Sequence, residues 1–139
     1  MTTITIDPKQ VLQAVDSVQT IIEQASDKLW QLAEISMQEI KSSEYLVMLL
    51  QEQGFTILST GTAGIPTAFV AEWGSGEPKL GILLEYDALP GLGNEAVSCK
   101  HARKDGTTSG HGCGHNLIGS ASLGTALALK KAMPEHNIS

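Results

Sequence analysis

Positive charge is scarce in this 139-residue chain: nine Lys plus Arg stand against fifteen Asp plus Glu, for a formal net charge of −6 and a pI near 5.1. Such a chain presents no positive field to a phosphate backbone, which excludes nucleic acid as the expected partner. Charge of either sign is thin as well, at 17%, below the roughly 25% usual in globular chains. With 42% hydrophobic residues, disorder driven by charge is excluded and a folded core is expected.

Long apolar runs are missing too. None approaches the roughly 18 residues of a spanning helix, and the opening MTTITIDPKQ has no basic stretch leading into an apolar one. The expectation is a soluble, cytoplasmic protein with no membrane partner. Two cysteines make no disulfide framework, and a thiol set among histidines is more often a ligand or nucleophile than a cross-link. There is no internal repeat and no low-complexity tract, and the length suits one domain over residues 1–139.

What is present begins with an amphipathic stripe. Val11, Val15, Val18, Ile22, Ala25, Leu29 and Leu32 recur in steps of four and three, as one face of a helix requires, and Asp7-Pro8 is a good N-cap and first-turn pair. The stripe predicts packing onto a larger body more than a coiled-coil seam. Ser36 and Glu39 have capping-box spacing, and Ser42 or Ser43 is a candidate cap for a second helix carrying Tyr45, Leu46, Leu49 and Leu50 and stopped by Gly54. Strands are predicted near Phe55–Leu58 and Thr67–Trp73, where β-branched residues concentrate. Lys79–Glu85 is a nearly continuous apolar run, read as a strand buried on both faces. Gly91–Gly114 reads as a long loop, of the kind that is usually either functional or disordered. From His115 the pattern becomes helical, with small residues that admit a close neighbour, Lys130 and Lys131 at the C-terminal end, and Pro134 as the stop.

Chemistry concentrates between Leu80 and Asn116, where Glu85, Asp87, Cys99, His101, His111, Cys113 and His115 fall together. Thiolate, imidazole and carboxylate are the donors zinc accepts. The tightest cluster is Ser109-Gly-His-Gly-Cys-Gly-His-Asn116, in which the flanking glycines leave Cys113 and His115 free to turn toward one ion; a small buried thiol in a flexible His-Gly loop is the plainer alternative. Glu85 and Asp87, two residues apart at the end of an apolar run, point the same way if extended. They can then supply one metal ligand and one carboxylate that orients an imidazole, or merely cap the following turn. Cys99 and His101 with Cys113 and His115 make an alternative closed zinc site of a binding or structural module, though the spacing matches no common zinc motif. A Cys113 nucleophile paired with His111 or His115 lacks any sign of an oxyanion hole. His136, beyond Pro134, reads as a solvated end residue.

Taken in order, GIPTAFVAEWGSGEPKLGILLEYDALPGLG and GHGCGHNLIGSASLGTALALK resemble the M-twenty metallopeptidases, in their D subfamily of amidohydrolases. LAEISMQEIKSSEYLVMLLQEQGF resembles the N-terminal helices of that family, so the likeness spans nearly the whole chain. The resemblance implies an α/β fold, the N-terminal part of a zinc-peptidase-like catalytic domain with helices on a mixed sheet, truncated before a smaller lid domain. It places the family's metal ligands on Cys113 and His115 and its catalytic-site Asp on Asp87. Where the wider family has a metal-binding His two residues before that Asp, this chain has Glu85, and in the subfamily the Cys compensates. Cys99 and His101 fall in a variable loop and inherit no role.

Family members are several times longer, and the general-base Glu and later metal ligands have no counterpart here. The resemblance therefore implies a fragment, inactive alone, of an enzyme for metal-assisted amide hydrolysis. Its metal is expected to be zinc, with manganese and cobalt as alternatives. Its substrate is expected to be an N-acyl amino acid, an aminobenzoyl-glutamate-like conjugate or a dipeptide. A homo-oligomer, if formed, is expected through the lid.

Overall fold

The computed structural model describes residues 7–77 and 79–133; Pro134 and His136, with the helix stop and solvated end expected of them, lie outside that range. Helix α1 spans Pro8–Leu32, with Asp7 as its N-cap accepting from the Lys9 N–H at 2.9 Å. The predicted stripe is buried at its centre: Val18, Ala25 and Leu29 are fully enclosed, while Val15 toward the N-terminal end stays exposed. Ala33 closes the helix in the left-handed region, at φ 44°, donating to the Leu29 carbonyl.

Helix α2 runs from Ile40 to Glu52, and its start differs from expectation. Ser42 and Ser43 lie inside the first turn, and Glu39 occupies the N-cap position without a side-chain cap. The free N–H groups of Lys41 and Ser42 are instead accepted by the Glu34 carboxylate at 3.2 and 2.8 Å, and the Ser42 hydroxyl also donates to Glu34 at 2.7 Å. A negative group eight residues upstream thus does the work of a local cap at the positive end of the helix. At the other end the expectation holds. Gly54, at φ +76°, donates to Gln51 and Phe55 to Leu50, which is the paired bonding of a Schellman stop.

Strands β1, Thr56–Thr60, and β2, Phe69–Glu72, form an antiparallel pair, with Leu58 bulged out between the Ile57–Ala71 and Ser59–Val70 pairs. Ile57, Phe69 and Ala71 turn inward against the helices. This hairpin is the sheet seen among the described residues, in place of the mixed sheet expected. The predicted strand at Lys79–Glu85 does not form: no ladder partner pairs with it among the described residues, and Leu83 is 92% exposed. An apolar run sets a preference for burial, but a strand buried on both faces also needs neighbours to bond and cover it.

Helix α3, His115–Ala132, lies along α1, and the core is the seam where Val18, Ala25 and Leu29 meet Leu123, Leu127 and Ala128, roofed by Leu46, Leu49 and Leu50 of α2. At Gly124 the helices come so close that an added Cβ would stand 2.3 Å from Ile22 Cδ1, as the small residues suggested. Lys130 reaches across to donate to the Gln53 and Gly54 carbonyls and lies over the Phe55 and Trp73 rings. Among the described residues no helix is long and apolar enough to cross a membrane.

Leu46, wholly buried at 0% exposure, is expected to cost about 2–5 kcal/mol of stability as Leu46→Ala, from lost burial plus the cavity left. Leu83→Ala, at an exposed position, is expected to change it by under about 0.5 kcal/mol. Urea unfolding of both variants checks the contrast.

Candidate active site

The site grows from a segment that leaves the core and a helix that enters it. After Leu84 the chain passes beneath α3 and is pinned where the Ala88 N–H donates to the Glu34 carbonyl at 2.7 Å and Leu89 exchanges two 3.0 Å bonds with Gly110. Alternation along Glu85-Tyr86-Asp87 then sends the carboxylates one way and the phenol the other. The Tyr86 hydroxyl donates to the Thr67 carbonyl, and the Thr67 hydroxyl donates to the buried Glu39 carboxylate at 2.7 Å. Burial, reinforced by the Glu39 charge, pushes the Tyr86 phenol up to about 12.

On the other side both carboxylates meet one ring. His115 is the first residue of α3, following Gly114 in the left-handed region at φ 76°. Its Nδ1 lies 2.7 Å from Asp87 Oδ1 and its Nε2 lies 3.2 Å from Glu85 Oε2. The imidazole and Asp87 are sheltered, with side chains 20% and 24% exposed, whereas that of Glu85 is 65% exposed. An ionised carboxylate only accepts, so Asp87 holds the ring proton on Nδ1 and turns Nε2 toward Glu85. The expectation that two acids of one extended segment face the same way, one of them orienting an imidazole, matches this geometry.

The closeness depends on a glycine. A Cβ at Gly119, one turn beyond His115, would stand 2.6 Å from the Glu85 carbonyl oxygen. Only a residue without a side chain lets the helix lie on the backbone that carries both acids.

Cys113 occupies the turn just before α3 and is exposed. That turn is closed by the Gly112 N–H on Gly110 and the Gly114 N–H on His111, each at 3.0 Å. His111 faces inward: its Nε2 donates to the Leu29 carbonyl at 3.0 Å, which leaves Nδ1 buried without a partner. Burial holds its pKa below the ordinary histidine value, with the nearby His115 acting the same way, against the Leu29 bond and the Asp87 charge.

Cys99 and His101 lie elsewhere. Asn94 closes their turn by donating to the Cys99 carbonyl at 3.1 Å and accepting the His101 N–H at 2.7 Å, and both residues are exposed. Among the described residues no three His, Cys, Asp or Glu side chains gather as a metal site, so the closed site of Cys99, His101, Cys113 and His115 finds no support. The loop that carries the first pair is tied to α1 rather than folded onto the second.

That tie is Arg103, which carried no sequence signal because its partners on α1 are over seventy residues away. Its guanidinium stacks 4.8 Å over the Trp30 ring and donates to the Trp30 and Gln31 carbonyls at 3.0 and 2.9 Å. Asp105 takes the remaining donors, and with the Thr107 N–H this holds the Asp105 carboxyl well below the usual carboxylate range. Ser109 donates to the Ala33 carbonyl, and buried Asn116 donates to Ser26 Oγ at 3.1 Å. The last turn of α1 is therefore capped by the very loop that delivers Cys113 and His115.

No protein-family model matches the chain. Over 111 residues it is 38% identical to one of the subunits of p-aminobenzoyl-glutamate hydrolase of Escherichia coli (strain K12), covering 80% of this chain and 23% of that protein. It is 39% identical over 77 residues to the Xaa-Arg dipeptidase of Mus musculus, covering 50% of this chain and 14% of that protein. It is 27% identical over 115 residues to N-acetyldiaminopimelate deacetylase of Lactococcus lactis subsp. cremoris (strain SK11), covering 80% and 29%. The chain is homologous to the N-terminal portion of the M-twenty amidohydrolases. It spans about a quarter of the length of the curated relatives matched over most of it.

Two outcomes follow from the geometry of this amidohydrolase-like segment. Gly119→Ala should push the Glu85 backbone off α3 and lower stability by about 1–3 kcal/mol, as overpacking does; the low-field His115 Nδ1 proton in NMR spectra should vanish with the Asp87 bond. The unfolded chain loses the Tyr86 proton near pH 10.0 and the folded chain near 12, so this contribution to stability is intact below about 10 and is lost as pH rises through about 12. Tyr86→Phe should flatten the fall in unfolding free energy across that window, measured in urea at stepped alkaline pH.

Proposed function

We propose that this chain forms part of a metal-dependent hydrolase that cleaves an amide bond in an N-acyl amino acid, an aminobenzoyl-glutamate-like conjugate or a dipeptide. The observation that carries this reading is the His115 imidazole fixed between Asp87 and Glu85 at the head of α3, in a chain whose relatives are named as a hydrolase, a dipeptidase and a deacetylase. An imidazole whose Nδ1–H is held by a carboxylate is the common form of a histidine metal ligand.

The donor set fits a divalent cation. Cys113 and His115 would hold it, and mixed thiolate and imidazole donors suit zinc, with manganese and cobalt as alternatives. Bound there, the ion would supply Lewis acidity, polarising the scissile carbonyl and acidifying a water toward a pKa of about 7. Asp87 keeps the proton on Nδ1 and the ring in register, and so leaves Nε2 as the free donor atom. Gly119 and Tyr86 hold the acidic segment against α3 from its two sides. Further ligands, and a Glu to act as general base, would come from residues outside this sequence. On this reading the isolated chain is inactive, as part of a zinc-peptidase-like domain whose lid, also outside the sequence, selects the substrate and carries any dimer contact.

In the full-length polypeptide, Cys113→Ser should lower bound metal and amide hydrolysis together, while Cys99→Ser should change neither. Elemental analysis alongside hydrolysis of N-acyl amino acids, aminobenzoyl-glutamate and dipeptides checks this. Equal losses in the two variants would revive the closed zinc site, and a metal-loaded polypeptide inert toward all three substrate classes would refute the assignment.

A further inference from the structure

We propose that His111 is a positioning residue: its inward-facing ring fixes the turn that carries Cys113 and opens onto His115. The assignment rests on the reading of those two residues as metal ligands.

The turn has little of its own to hold it. Gly110, Gly112 and Gly114 alternate with His111 and Cys113, and glycine leaves the backbone its widest freedom. Cys113 is exposed, so its side chain adds no packing. Within residues 111–114 the side chain that faces inward is that of His111, whose Nε2 donates at 3.0 Å to the carbonyl of Leu29, a residue wholly enclosed in the core. From this fixed point a run of hydrogen bonds leads to α3. The His111 carbonyl accepts the Gly114 N–H at 3.0 Å, and the Gly114 carbonyl accepts the Leu117 and Ile118 N–H groups at 2.9 and 3.0 Å. Cys113 lies inside the first link and His115 inside the second. One ring thus ties the end of α1 to the start of α3 across both candidate ligands.

Helix capping alone does not account for the ring. The Leu29 carbonyl already accepts the Ala33 N–H at 2.9 Å, so His111 takes its second lone pair. His111 Nδ1 is buried with no hydrogen-bond partner among the described residues, a loss that an apolar ring of the same shape would not incur. A polar ring that lowers stability where a phenyl ring would serve better points to a positional role. Its Nε2–H gives the turn a direction that packing by itself would leave open.

His111→Phe, which keeps a ring and loses the donor, and His111→Gln, which keeps a donor, test this. In His111→Phe the Gly114 amide should exchange with solvent roughly five- to ten-fold faster, the loss of about one hydrogen bond. Urea unfolding of the same variant should be no easier than that of wild type. In the full-length polypeptide His111→Phe should bind cobalt(II) at least about ten-fold more weakly, as when a ligand's supporting partner is removed. His111→Gln should bring both the Gly114 amide and the cobalt affinity back toward wild type. An unaltered Gly114 amide in His111→Phe would overturn the assignment. A fall in unfolding free energy that matched the faster exchange would also overturn it, because the ring would then be only structural, as would equal losses in the two variants. Cobalt affinity unchanged in His111→Phe while the Gly114 amide loosened would overturn it and leave the metal centre standing. A wild-type polypeptide that bound no cobalt would overturn the metal centre and this assignment together.

Discussion

The backbone of Glu85 crosses α3 at a distance that no side chain at position 119 would permit: an added Cβ would stand 2.6 Å from its carbonyl oxygen. That contact is what brings a helix N-terminus onto a segment carrying two carboxylates. With the helix axis placed there, His115 at its first position lies between Glu85 and Asp87, and the two nitrogens of the ring become chemically distinct. A further device serves the same end. Tyr86, on the opposite face of the segment, is tied through Thr67 to Glu39 beside the start of α2, so the acids cannot roll away from the ring.

The second constraint is the end of α1. A helix leaves its last carbonyls unsatisfied, and here they are met by side chains of the long loop: His111 at Leu29, Arg103 at Trp30 and Gln31, and Ser109 at Ala33. These bonds satisfy a structural need of the helix and at the same time set the path of the loop into the turn of Cys113. Stability of α1 and placement of the candidate ligands are in this way one problem with one solution. Loss of Arg103 would accordingly be felt at the site, though its guanidinium binds α1 and Asp105 and touches none of the candidate ligands.

Legibility followed the range of the interaction. The course of α1 could be read because its apolar period and its Asp7-Pro8 start are local features, and the stop of α2 could be read because Gly54 adopts the left-handed region within its own turn. The start of α2 could not: Ser42 and Ser43 are good caps in isolation, yet Glu34 lies where its carboxylate outcompetes them. Lys79–Glu85 misled for a related reason, since its apolarity says that it will seek cover and not what will cover it. The closed zinc grouping of Cys99, His101, Cys113 and His115 was a matter of composition alone, and Asn94 and Arg103 hold the first pair in a turn of its own.

Short-range chemistry was therefore written in the residues themselves: three helices, two strands, a glycine-flanked Cys-Gly-His turn, and two acids spaced to share a face. Kinship with the amidohydrolases was also legible there, because it lies in motifs and their order. Which acid meets which nitrogen, which donors close α1, and which glycine must stay bare were decided only when distant segments packed. Each of those depends on separations of a few tenths of an ångström between residues far apart in the chain, and no periodicity or motif encodes such a distance.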